Sequence, residues 1–285
     1  MKIKVIGVVG AGTMGHGITQ VALQAGYQIL LGDVITDVLE SARDRIASGL
    51  AKGVEKGKFT EGEMEEMLKN LRLTTALSDF ALSDFVIEAV TEDFARKKTL
   101  FEQLDQICRP DVILATNTSS IPITKIAATT SRPSSVIGMH FFNPVPLTQV
   151  VEVVRGLATG EETVSITRHL VERLGKTPIE AGDSPGFISS RIIGTMINEA
   201  IYALMEGVGS AEAIDTVMKL GANQPMGPLA LADFIGLDVC LALMRTLHEG
   251  LGDPKYRPCP LLVRMVEAGY LGRKTGRGFY IYEKG

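Results

Sequence analysis

From Lys4 to Gly10 the chain reads Lys-Val-Ile-Gly-Val-Val-Gly, a short β-branched run closed by glycine, as expected of a strand buried on both faces. From Thr13 to Ala25 the apolar spacing turns helical, with Gly26 as its stop, and a second apolar run follows at Gln28 to Gly32, ending in Asp33. Strand, helix, strand in this order predicts a parallel unit with a right-handed crossover. Further strands are predicted at Leu71 to Thr75, Phe85 to Val90, Val112 to Thr116, Val136 to Phe141, Val150 to Val154 and Thr177 to Ala181. Helical patterns at Ile35 to Lys56, Glu61 to Lys69, Asp93 to Ile107 and Glu161 to Leu174 separate most of them. The alternation predicts an α/β fold built on a doubly wound, Rossmann-type sheet. After Gly182 the pattern changes. Asp183-Ser184-Pro185 reads as a helix start, and helices are predicted over about 186–206, 210–221, 228–250 and 259–268. A sheet domain of 1–184 and a smaller all-helical domain of 185–285 follow.

Composition narrows the function classes. Of the 285 residues 45% are apolar, and 29 Lys+Arg against 33 Asp+Glu leave a net charge of −4, which fits neither a disordered chain nor a nucleic-acid binder. The longest uncharged run, Pro133 to Val151, is interrupted by His140, Asn143, Pro144, Pro146 and Gln149, so no membrane span is expected. The three cysteines have no Cys-x-x-Cys spacing and suit a reducing, cytoplasmic setting, with neither disulfides nor a metal site expected.

Gly10-Ala11-Gly12-Thr13-Met14-Gly15 matches Gly-x-Gly-x-x-Gly, a weak signal alone but a strong one between a buried strand and a helix. Gly10 permits the tight turn, Gly12 lets a pyrophosphate approach the backbone, and Gly15 lets the helix close on the sheet. Thr13 and Met14 open the helix whose amide end would meet the phosphates. Asp33, at the end of the second strand, is placed to accept hydrogen bonds from ribose hydroxyls and to repel a 2′-phosphate, which favours NAD over NADP.

Open α/β sheets bind ligands beyond the carboxyl ends of their strands, and three such ends are unusually polar: Glu88 to Glu92, Asn117 to Ser120 and His140 to Pro144. If the strands flanking Pro146 form a hairpin centred there, His140 and Glu152 face each other across it. A carboxylate beside an imidazole fixes its tautomer and stabilises the imidazolium, as a general base requires. A structural histidine beside a solvated glutamate fits the same pattern. Ser119 is placed either to donate to a substrate oxygen or to cap a turn beside Ser120 and Pro122. Lys52, Lys56 and Lys58 suit a phosphate-bearing substrate, or a mixed-charge solvated face shared with Glu55 and Glu61.

Taken together, these residues resemble the 3-hydroxyacyl-CoA dehydrogenase family, most of all its bacterial members that act on 3-hydroxybutyryl-CoA. The matching pieces run in order along the chain: Gly10 to Gly15, Val86 to Glu92 with Lys97, Asn117 to Ser120, Gly138 to Pro146, Val150 to Glu152, Asp183 to Phe187, Met196 to Ala200, Gly227 to Leu229 and Gly272 to Tyr280. The resemblance implies that His140 is the catalytic base and Glu152 its partner, and that Ser119 contacts substrate and nicotinamide. It also places Glu92, Lys97, Asn143 and Lys274 at the NAD site, and Lys56, with Lys52 nearby, at the phosphates of an acyl-CoA substrate. By the same resemblance the helical domain closes the cleft and carries most of a homodimer interface. The implied reaction interconverts a short (3S)-3-hydroxyacyl-CoA and its 3-ketoacyl-CoA. Alternatives are a dehydrogenase of a free hydroxy acid or sugar acid, and a nucleotide-binding protein without catalysis. One position departs from the family. Where its members carry asparagine before the arginine of Ser-Pro-Gly-Phe-x-x-Asn-Arg, Ser190 precedes Arg191. The asparagine's substrate-holding role is thereby left open for Ser190.

Overall fold

The computed structural model describes residues 3–283, which divide between Ser184 and Pro185 into two compact units. The first is built on β1 (Val5–Val9), β2 (Gln28–Gly32), β3 (Leu71–Thr74), β4 (Phe85–Glu88), β5 (Ile113–Thr116), β6 (Val136–Phe141), β7 (Val150–Arg155) and β8 (Thr177–Gly182). They form one sheet in the order β3-β2-β1-β4-β5-β6-β7-β8, parallel throughout except for the antiparallel β6–β7 pair. Its helices are α1 (Thr13–Gln24), α2 (Thr36–Glu55), α3 (Glu61–Lys69), α4 (Phe94–Ile107), α5 (Ile123–Ala127) and α6 (Glu161–Arg173).

The apolar strands behave as their composition requires. Every residue of β4, β5 and β6 is buried, because a parallel sheet carries helices on both faces. Sequence order reverses beside β1, which lies between β2 and β4, and that reversal opens the crevice in which doubly wound sheets hold ligands. Two strand glycines have a tertiary cause. A Cβ on Gly7 or Gly32 would lie 2.6 or 2.7 Å from the ring of Phe80, a fully buried residue in the 3₁₀ turn Leu77–Leu82.

The second unit consists of α7 (Ser189–Met205), α8 (Ala211–Gly221), α9 (Pro228–Ile235), α10 (Leu237–Leu251) and α11 (Pro260–Glu267). Where the periodicity predicts one helix over 228–250, Gly236 at φ +106° divides two. The amide of Leu237 bonds the carbonyl of Leu271, so a contact distant in sequence sets the break. Helix α7 begins at Ser189 rather than 186, because Gly186 and Phe187 both take positive φ. Asp183 does not start that helix. Its carboxylate accepts from the amides of Ile123 and Thr124 and so caps α5, which the sequence reading missed.

Buried Asp233 accepts from the amides of Phe279 and Tyr280 and from the hydroxyl of Tyr282. Asp215 accepts from the amides of Leu229 and Ala230 and from the Tyr280 hydroxyl. The Gly227-Pro-Leu229 and Gly272 to Tyr280 motifs thus owe much of their pattern to two buried carboxylates. Cys108, Cys240 and Cys259 are free and buried, and burial pushes the first two thiols up to about 11 and about 12, as suits packing residues. No helix among the described residues is long and apolar enough to cross a membrane.

Candidate active site at the carboxyl edge of the sheet

The glycine fingerprint sits between β1 and α1. Gly10 has φ +100°, and a Cβ there would lie 2.6 Å from the carbonyl oxygen of Ala89, so only glycine fits. A Cβ on Gly15 would lie 1.7 Å from the Gly10 oxygen, which shows that α1 closes onto the turn itself. At Gly12 nothing lies within 4 Å of the added atom, so the backbone is open to a ligand. Exposed Thr13 and half-buried Met14 follow in the first turn of α1. Asp33 ties the end of β2 to this turn. Its Oδ2 accepts from the amide of Ala11 at 2.9 Å and its Oδ1 from that of Ile35 at 3.2 Å. A carboxylate offers about four lone-pair sites, so acceptor capacity remains for two ribose hydroxyls.

A cavity of about 830 Å³ opens here, lined by Gly10, Gly12, Asp33, Val34, Ile35 and, across the crevice, residues of α4 such as Ala95 and Leu100. Apolar walls, one carboxylate and an open glycine backbone at a helix N-terminus fit the adenosine and pyrophosphate of a dinucleotide.

Next along the edge, the ends of β4 and β5 carry a buried polar network. Lys97 Nζ lies 2.5 Å from Glu88 Oε1 and 3.5 Å from Glu92 Oε2, while Thr116 donates to Glu88 Oε2 at 2.6 Å. Glu92 Oε1 in turn receives the Thr118 hydroxyl at 2.6 Å, the Ser120 hydroxyl at 2.8 Å and the amides of Ser119 and Ser120 at 3.0 Å. Burial pushes the Glu92 carboxyl up. The Lys97 ammonium and the donors from Thr118, Ser120 and Ser119 outweigh that, and its pKa falls below the usual glutamate value. Lys97, only 1% exposed, is thus the buried cation that pairs with both carboxylates. Glu88 belongs to the polar strand end Glu88 to Glu92 evident in the sequence, whereas Thr116 joins the network without any signal in the strand pattern.

His140 and Glu152 are register partners across β6 and β7, and His140 Nδ1 lies 2.6 Å from Glu152 Oε2. Both are buried, and the imidazole is flanked by the ring of Phe142 at 4.7 Å between centroids. The Asn117 side chain accepts from the amide of Phe141 at 2.8 Å, linking the Ser119 loop to the strand of His140. The contact with Glu152 thus engages the Nδ1 side of the imidazole.

Asn143 is exposed in the β6–β7 turn. Lys52, Lys56 and Lys58 are exposed at the end of α2, outside the cavity lining. Lys274 lies in the second unit, 2.6 Å from both carboxylate oxygens of Asp238, and Ser190 is half-buried in the first turn of α7.

Known proteins match this geometry over the whole chain. The family described as 3-hydroxyacyl-CoA dehydrogenase, NAD binding domain, matches residues 5–184, and the one described as 3-hydroxyacyl-CoA dehydrogenase, C-terminal domain, matches 186–282. A 3-hydroxybutyryl-CoA dehydrogenase of Bradyrhizobium diazoefficiens is 52% identical over 280 residues, covering 98% of this chain and 96% of its own. That of Clostridioides difficile is 47% identical, covering 98% and 99%. The crystal structure of the (S)-3-hydroxybutyryl-CoA dehydrogenase of Ralstonia eutropha superposes with a TM-score of 0.97 at 48% identity, covering 99% of this chain and 100% of that one. With a dinucleotide crevice and a histidine–glutamate pair on one sheet edge, and with both domains matched from end to end, this chain belongs to the 3-hydroxyacyl-CoA dehydrogenase family.

Proposed function

We propose that the protein is an NAD-dependent oxidoreductase that interconverts short (3S)-3-hydroxyacyl-CoA thioesters, chiefly 3-hydroxybutyryl-CoA, with 3-ketoacyl-CoA, chiefly acetoacetyl-CoA. The observation that carries this reading is the 2.6 Å contact between His140 and Glu152, held on the sheet that also presents the dinucleotide fingerprint. Bound NAD supplies the hydride acceptor for C3, and its reduced form the donor. His140 Nε2 takes the proton of the 3-hydroxyl during oxidation and returns it to the developing alkoxide during reduction. Glu152 holds the protonatable ring through Nδ1 and stabilises its charged form. Acid-base help of this kind is typically worth about a hundred- to ten-thousand-fold. Ser119 supplies a hydrogen bond to the reacting oxygen, and Glu92 keeps the serine loop in place.

Lys52 and Lys56 supply positive charge for the CoA phosphates. In the helical unit, exposed Ile192, Val217, Leu220 and Val239 are the surface a second copy covers, giving a homodimer in a cytoplasmic setting. The test is the fall in NADH absorbance with acetoacetyl-CoA, with a longer 3-ketoacyl-CoA and with free acetoacetate. Rapid oxidation with the four-carbon thioester is expected. Turnover of the free acid with none of either thioester would overturn the reading.

A further inference from the structure

The eight residues joining β6 to β7 carry two prolines, Pro144 and Pro146, and therefore lack two of the amide donors a turn normally has. Its carbonyls must find partners elsewhere, because a buried unpaired carbonyl is expensive. Pro144's oxygen accepts from the amides of Leu147 and Thr148 inside the turn. Two more are satisfied by a side chain from outside. Lys176 Nζ donates to the carbonyls of Val145 at 2.7 Å and Thr148 at 2.5 Å. Lys176 comes from the turn between α6 and β8, and it is only 8% exposed. Burial pushes its pKa below the usual lysine value. Two carbonyl dipoles take the place of water around it, which is how a buried ammonium is tolerated.

The turn held in this way touches both halves of the site. It carries Phe142 and Asn143 and follows directly from the strand that holds His140. On its other side Val145 is buried against α1, where a Cβ on Gly17 would lie 2.9 Å from the Val145 Cβ. Gly17 is two residues past the last fingerprint glycine. Lys176 thus sits at the point where the mouth of the catalytic hairpin is seated on the dinucleotide helix.

We propose that Lys176 is a positioning residue for cofactor binding. Its ammonium fixes the Asn143–Thr148 turn against α1 and so sets the spacing between Asn143 and the glycine-rich backbone. This rests on the reading above, in which Asn143 and the fingerprint hold one NAD.

The experiment compares Lys176→Met, which keeps the apolar stem and removes the donors, with wild type and with Lys176→Arg. NADH affinity is read by fluorescence titration, KM and kcat by the acetoacetyl-CoA assay, and folding by circular dichroism and Tm. The expected result for Lys176→Met is an NADH Kd and KM raised roughly three- to tenfold, as for one hydrogen bond lost between the turn and the cofactor, with kcat changed much less and with partial recovery in Lys176→Arg. A lower Tm with unchanged KM and Kd would make the residue merely structural and overturn the proposal. If Lys176→Met does not fold, Val145→Ala tests the same seat from the other side. It is expected to raise the NADH Kd in the same direction, and an unchanged Kd there would also overturn the proposal. Failure of the wild-type protein to turn over acetoacetyl-CoA would instead strike the functional reading, which keeps the two outcomes separate.

Discussion

His140 and Glu152 are twelve residues apart in the chain and directly opposed in the β6–β7 register, and the contact between Nδ1 and Oε2 is 2.6 Å. Buried almost completely, the pair is shielded from water that would otherwise compete for the same hydrogen bond. Removing the imidazole is therefore expected to lower kcat by roughly a hundred- to ten-thousand-fold in His140→Ala, while NADH affinity measured by fluorescence changes little. Glu152→Gln should lose less, since the base survives without its orienting charge. Near wild-type turnover in His140→Ala would remove the histidine from the mechanism.

Asp33 ties the end of β2 to the amide of Ala11 and faces the cavity with its remaining acceptor capacity. The enzyme should prefer NADH to NADPH, and Asp33→Ala should erode that preference by weakening NADH binding roughly tenfold to a hundredfold, the range for a hydrogen bond to a charged group. Equal kcat/KM for the two cofactors in the wild-type protein would remove Asp33 from its role.

Glu92 links pH to stability. Its folded pKa lies below that of an unfolded glutamate, so its stabilisation is present above the unfolded value and is lost as pH falls through the folded one. The Tm difference between wild type and Glu92→Gln should be largest near neutral pH and shrink on acidification below the ordinary glutamate range. A difference that stayed constant from pH 7 to pH 3 would mean that the charge on Glu92 contributes nothing to the network around Ser119.

Ser190, which the resemblance sets at an asparagine position, lies in the first turn of α7. Serine offers one donor, closer to the main chain, where asparagine offers two. Ser190→Ala should change kcat/KM for acetoacetyl-CoA by no more than roughly two- to tenfold, the worth of one neutral hydrogen bond, and Ser190→Asn should be neutral or improve it. A loss in Ser190→Ala as large as that in His140→Ala would make Ser190 a primary catalytic group.

Local pattern was enough to place the eight strands of the described residues, the glycine fingerprint and the acid at the end of β2, because these follow from periodicity and from steric demands within a few residues. It also placed His140 opposite Glu152, since a hairpin's centre determines its register. What lay beyond it were contacts between residues far apart in sequence. Asp183 caps α5 from sixty residues away, Phe80 explains glycines in two strands, and the bond between Leu237 and Leu271 marks where α9 gives way to α10. Lys97 shows the same division within the site. The family resemblance, not local pattern, singles it out, and only the fold joins its ammonium to Glu88 and Glu92. Chain pattern specifies which groups a strand or helix presents. Which buried donor meets which buried acceptor is decided when the elements pack, because the penalty for an unpaired polar group arises only after water has been excluded.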